Sequence, residues 1–126
     1  MESGVAVMKK ILFVDDSKTI LHKASKVLET AGYDVVTAED GFDAITKVTD
    51  HDPDLIFVDI MMPRLDGYQT CSLVKNNSHY QETPVVMVSS KDGLFDRARG
   101  SIVGAQGHIN KPFSDSDLIG AVEKFT

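Results

Sequence analysis

Apolar residues in this chain fall into short unbroken runs, separated by longer stretches where they recur every three or four positions. Ile11-Leu12-Phe13-Val14, Leu55-Ile56-Phe57-Val58 and Val85-Val86-Met87-Val88 have no polar break, the pattern of a strand buried on both faces. Val35-Val36 with Thr37 and Ala38, and a segment around His108-Ile109, read as two shorter strands. Between them the period changes. Ile20, Ala24, Val27, Leu28 and Ala31 recur at helical spacing behind Ser17, a side chain suited to an N-cap, and Gly32 closes that helix at C′. Asp40-Gly41 opens a second helix with Phe42, Ala44, Ile45 and Val48 as its apolar face, stopped before Pro53. Asp66-Gly67 opens a third through Tyr68, Cys71, Leu73 and Val74, fraying into Asn76-Asn77-Ser78. Leu94–Val103, weakened by Gly100 and ended at Gly104, is expected to be the least stable helix. Ser114 caps a last helix with Leu118, Ile119, Val122 and Phe125 on one face.

Five strands thus alternate with five helices. That alternation predicts an α/β domain: one parallel sheet, helices on both faces, right-handed crossovers. Residues 1–8 read as a loose tail and 9–126 as a single domain, with no room for an attached output domain.

Composition narrows the class. The 126 residues suit one core. There are 13 basic and 19 acidic side chains, a net charge of −6, which argues against nucleic acid as a direct partner, since phosphate contacts need clustered Lys and Arg. No apolar run approaches the roughly 20 residues a membrane helix needs, and the first ten residues lack the order of a signal peptide. One cysteine, Cys71, excludes an internal disulfide and fits a reducing compartment, so the protein is placed in the cytoplasm. Cys71 falls on the apolar stripe of its helix, where packing is expected rather than reactivity. Asn76-Asn77-Ser78 matches a glycosylation sequon by letter only.

The chemistry gathers at strand ends. Asp15-Asp16 end the first run, Asp59 the third, Ser89 the fourth and Lys111 the fifth. In a parallel sheet these ends open on one edge, where such sheets bind ligands. Two carboxylates about 5 Å apart repel by roughly 3 kcal/mol at an effective dielectric of roughly 20. Three of them together call for a cation. Lys111 offsets part of the repulsion and a divalent ion more; oxygen ligands completed by water suit Mg²⁺. His22, His51, His79 and His108 are scattered and show no zinc spacing. A carboxylate beside Mg²⁺ can attack phosphorus and become an acyl phosphate, while a lysine and a hydroxyl hold the remaining oxygens. A phosphatase with an aspartyl-phosphate intermediate needs the same parts. Such enzymes usually set an acid two positions beyond the nucleophile, and Met61 stands there.

The motifs FVDDS, FVDIMMPRLDG, VMVSS and NKPF, in this order and spacing over residues 9–125, resemble the receiver domain of bacterial two-component response regulators, in its stand-alone CheY-like form. The resemblance implies the flavodoxin/CheY-like doubly wound sheet with strand order 2-1-3-4-5, an order carried over from CheY rather than read from the pattern. By position, Asp59 resembles the phosphorylated aspartate, Asp16 the direct Mg²⁺ ligand with Asp15 beside it, and the Met61 backbone carbonyl a further ligand. Ser89 matches the switch hydroxyl, and Lys111 the lysine that contacts the phosphoryl group, followed by a cis bond to Pro112. His108 occupies the position of the family's switch ring, usually Tyr or Phe. Apolar Met61, with Lys91 near it, implies slow hydrolysis of the acyl phosphate. The output surface implied is the fourth and fifth helices with the strand between, carrying Arg97, Arg99 and Lys124.

Finer wording, EDGFDA, MMPRLDGYQTC, VKNNS and SSKDGLFDRARG, is similar to the twitching-motility receivers of type IV pilus chemosensory systems. That implies a CheA-like histidine kinase as phosphodonor, a pilus or second-messenger effector downstream, and a monomer or weak phosphorylation-dependent dimer.

Overall fold

A computed structural model describes residues 8–90 and 96–126. Strands and helices alternate as β1 (Lys10–Val14), α1 (Lys18–Thr30), β2 (Asp34–Ala38), α2 (Gly41–His51), β3 (Leu55–Asp59), α3 (Gly67–Lys75), β4 (Val85–Ser90), α4 (Arg97–Val103), β5 (Gly107–Lys111) and α5 (Asp115–Phe125). All strand pairings are parallel and the sheet order is β2-β1-β3-β4-β5. β1 and β3 lie centrally, so their apolar runs are covered on both faces: Ile11, Phe13, Leu55 and Phe57 pack toward Leu28 and Leu118, while Leu12, Val14, Ile56 and Val58 pack toward Ala44, Cys71 and Val74. That two-sided burial is why these runs carry no alternation.

Each helix starts at the edge where the strands end, and each start has an oxygen cap. Ser17, Asp40, Asp66, Asp96 and Ser114 accept from backbone N–H groups three residues on. Asp66 with Gln69, and Ser114 with Asp117, complete capping boxes. Gly32 has φ of 96° and Gly104 of 92°, the left-handed geometry that ends α1 and α4.

The structure departs from the periodic reading in places. Phe42 is 55% exposed and Leu73 48% exposed, so neither belongs to the core. Leu21 and Ala121 are buried instead, beside the anticipated Ala24, Leu28, Leu118 and Val122. The fourth helix begins at Arg97 behind its cap Asp96; Leu94, where the sequence pattern starts it, lies outside the described residues, as do residues 1–7 of the expected tail and Lys91. With Gly100 its one buried residue, α4 is also the shortest helix. No helix among the described residues is long and apolar enough to cross a membrane.

Candidate functional site at the strand ends

β1 and β3 run side by side, with Val14 opposite Val58, so Asp15 and Asp59 emerge together from the sheet edge. Carboxylate oxygens of Asp15, Asp16 and Asp59 all lie within 4.8 Å of one another. Lys111 reaches in from the end of β5, its Nζ 2.7 Å from Asp15 Oδ2 and 3.3 Å from Asp59 Oδ1. Asp15 is fully buried and Asp59 is 5% exposed, whereas Asp16 stands at the surface. The pocket therefore has an acidic floor, an acidic rim and the Lys111 ammonium at its side.

Local hydrogen bonds hold these groups. Asp15 Oδ1 accepts from Ser17 N at 2.9 Å, and Asp15 N donates to Ala38 O at 3.1 Å. Asp15 Oδ2 is buried and faces Lys111 Nζ at 2.7 Å, and a single ammonium leaves a carboxylate oxygen with acceptor capacity to spare. A second cation is the partner such an oxygen fits. Clustered carboxylates with no histidine or thiol among them suit a hard, oxygen-preferring divalent ion.

Burial pushes the Asp59 carboxyl up from its ordinary 3.8 to about 6, and the Asp15 charge adds to it, while Lys111 pulls the other way. Burial alone would lower Lys111; its hydrogen bond and charge interaction with Asp15, then Asp59, outweigh that and raise it. Lys111 is thus held charged between carboxylates that repel each other. The bond from Lys111 to Pro112 is cis, as the family resemblance implies.

Ser89, 2% exposed, is the next-to-last residue of β4 and donates from Oγ to Asn110 Oδ1 at 3.4 Å. Asn110 was missed by reading strand ends alone, because the chemistry-bearing letter there is Lys111. His108 is half-buried in β5 opposite Met87, two positions before the residue opposite Ser89. Met61 is 62% exposed and, with Asp16, Met62, Pro63, Tyr68 and Arg99, lines a cavity of about 540 Å³ beside the acidic floor. Arg99 does not join Arg97 and Lys124 on the surface anticipated for output. Its guanidinium lies 4.3 Å over the Tyr68 ring and 3.7 Å from Asp66, turned toward α3. Cys71 is fully buried, donates to Val103 O at 3.4 Å, and burial pushes its thiol up to about 11.

Residues 11–123 match the response regulator receiver domain, and the chain belongs to that family. Among individual proteins, it is 59% identical over 114 residues to protein PilG of Pseudomonas aeruginosa, a match covering 90% of this chain and 84% of PilG. It is 40% identical over 110 residues to the alkaline phosphatase synthesis transcriptional regulatory protein PhoP of Bacillus subtilis, covering 87% of this chain and 45% of PhoP. Chemotaxis protein CheY4 of Vibrio cholerae has the same fold at a TM-score of 0.90 and 34% identity, over 95% of this chain and all of that one. The CheY-like strand order expected from the motifs is the one observed.

Proposed function

We propose that this receiver accepts a phosphoryl group from a histidine kinase onto Asp59 in a Mg²⁺-dependent reaction and so controls a protein partner in the cytoplasm. The observation that carries the reading is the Lys111 ammonium within reach of both Asp15 and Asp59 beside a third carboxylate. Asp15, Asp16, Asp59 and the Met61 carbonyl would hold the ion, which when bound draws charge off the transferring group. Asp59 Oδ is the nucleophile and needs no proton removed once ionised. Lys111 donates to a phosphoryl oxygen, and the Ser89 hydroxyl turns from Asn110 to another. The bond from phosphorus to the kinase imidazole breaks as the bond to Asp59 forms, and the imidazole leaves with the electron pair.

Switching then follows from Ser89. Loss of its contact with Asn110 frees space on the same face of β4 and β5, into which the His108 ring moves, reshaping the α4-β5-α5 surface. The apolar, exposed Met61 offers no proton to a leaving group and no acceptor to an attacking water, which supports a long-lived acyl phosphate rather than phosphatase turnover. Similarity to PilG, together with the motif wording, supports a CheA-like kinase as donor and an output toward type IV pilus twitching motility, as monomer or weak phosphorylation-dependent dimer.

Intact mass after incubation with acetyl phosphate tests the chemistry. Gain of one phosphoryl mass by wild type with Mg²⁺, and by neither wild type without it nor Asp59→Asn, is expected. Release of many phosphates per chain would replace this reading with a hydrolase.

A further inference from the structure

Residues 60–66, between β3 and α3, wall the acidic pocket, so whatever fixes this loop fixes the pocket's shape. Its downstream end is held by backbone: Gly67 N donates to Ile60 O at 2.9 Å. Its middle is different. Leu65 N donates to Pro63 O at 2.8 Å, a tight turn that puts Arg64 at φ of 69°. Glycine takes that conformation more easily than arginine. What explains arginine here is where its side chain goes.

Arg64 Nη2 is 2.6 Å from Asp40 Oδ2, and its guanidinium lies 5.5 Å over the Phe42 ring. Phe42, exposed where periodicity assigned it to the core, is the platform beneath that cation. Asp40 has both oxygens engaged: Oδ1 accepts from Asp43 N at 2.7 Å as the cap of α2, and Oδ2 takes Arg64. Asp40 also sits two residues past Ala38, whose carbonyl accepts from Asp15 N. One aspartate thereby joins the loop beside Asp15 to the loop beyond Asp59. Gly41 fits against Leu65 and Thr70 at the same junction, where an added Cβ would fall within 2.9 Å of Leu65 Cβ.

We infer that Arg64 is a positioning residue: by gripping Asp40 it holds residues 60–63, and with them the Met61 side of the pocket, in place against Asp15 and Asp16. The inference deepens the receiver reading and rests on it for the identity of the pocket.

Arg64→Gly separates the grip from the backbone, because it relieves the left-handed turn while deleting the side chain. Amide hydrogen exchange of Leu65 and Gly67, and Mg²⁺ titration followed by amide chemical shifts, are measured on the intact protein without any phosphodonor. Arg64→Gly is expected to speed exchange at Gly67 about fivefold, within the range an ion pair of this kind supports, and to raise the Mg²⁺ concentration for half-saturation about three- to fivefold. Its urea midpoint should equal or exceed wild type. Asp40→Asn, which keeps a capping oxygen, should act alike; the double variant should be no worse than either single one, and Arg64→Lys should recover part of both effects. Wild-type exchange and Mg²⁺ response in Arg64→Gly would overturn the inference. Failure of wild type to be labelled by acetyl phosphate would instead overturn the receiver chemistry, and the exchange data would still decide the role of Arg64.

Discussion

Lys111 Nζ is 2.7 Å from Asp15 Oδ2, nearer to that carboxylate than to Asp59. Asp15 is fully buried, so no water screens it, whereas 22% of the Lys111 side chain remains exposed. The lysine is therefore a structural counter-ion as well as a candidate phosphoryl contact. Replacing it leaves two carboxylates facing each other at the sheet edge. Lys111→Met should cost about 1–3 kcal/mol at pH 7, below the usual toll of breaking a fully buried pair because the site borders solvent. The loss should shrink toward pH 5, where Asp59 takes up a proton. Urea unfolding at the two pH values measures both quantities, and an equal loss at each would contradict the electrostatic account.

Asp59 makes its own pH prediction. Its carboxyl titrates at about 6 in the folded protein against an ordinary 3.8, burial being the main cause and Asp15 the next. Between those values the folded state binds a proton that the unfolded state has released. Stability from this group thus falls as pH rises from roughly 4 to roughly 6 and is level above that. Asp59→Asn removes the burden and should be more stable than wild type at pH 7.5 by about 1–3 kcal/mol. The gap should close as pH falls below 4. Mg²⁺ should narrow it from the other side, by stabilising wild type at pH 7.5 and not the variant. Urea midpoints across pH 4–8, with and without Mg²⁺, provide the check.

The sheet was legible because its central strands are covered twice, which forces runs such as Leu55–Val58 that nothing else in the chain imitates. The acidic pocket was legible for a related reason: a parallel sheet brings every strand's last residue to one edge, so Asp15, Asp59 and Lys111 could be grouped without coordinates. Which side chains leave the helix stripe was not. Phe42 sits in the first turn of α2, three positions before Ile45 and so on its side of the helix by count, yet its neighbour is the Arg64 guanidinium and not the sheet. Arg99 was assigned to the output surface by its place in α4, but an aromatic face on α3 and the Asp66 carboxylate draw it to the other side. Pairings such as Lys111–Asp15 depend on distances between strands that a one-dimensional pattern does not carry.

Gly67 tests how tightly the loop after Asp59 is built. A Cβ there would stand 2.6 Å from Asp59 O and 2.8 Å from Ile60 Cα, both backbone atoms that cannot swing aside. Gly67→Ala must then push α3 away from the end of β3 or shift Asp59 itself. A destabilisation of about 2–3 kcal/mol is expected, in the range of overpacked cores, together with slower labelling by acetyl phosphate. By contrast Gly120→Ala, with nothing within 4 Å of the added carbon, should gain up to about 1 kcal/mol, because alanine is the better helix former. Unfolding midpoints of the two variants should move in opposite directions.

Tyr68 connects the pocket wall to α4. It is 3% exposed, and its hydroxyl accepts from Asp96 N at 2.6 Å. Asp96 in turn caps α4 by accepting from Arg99 N at 3.1 Å, and Arg99 lies back over the Tyr68 ring. This closed circuit supports the helix that buries least: Gly100 is its one buried residue, and Ile102 is 84% exposed. Tyr68→Phe keeps the ring under Arg99 and removes the oxygen that accepts from Asp96 N, a loss that should lower global stability by about 1 kcal/mol. Local effects should be larger. Amide exchange in α4 should rise severalfold while α1 and α5 stay unchanged, since opening of a poorly packed helix needs less than global unfolding. The acidic pocket is left intact, so labelling of Asp59 should keep its rate while binding to any partner that reads α4 weakens. Uniform exchange across all helices in Tyr68→Phe would show that α4 is held by something other than this circuit.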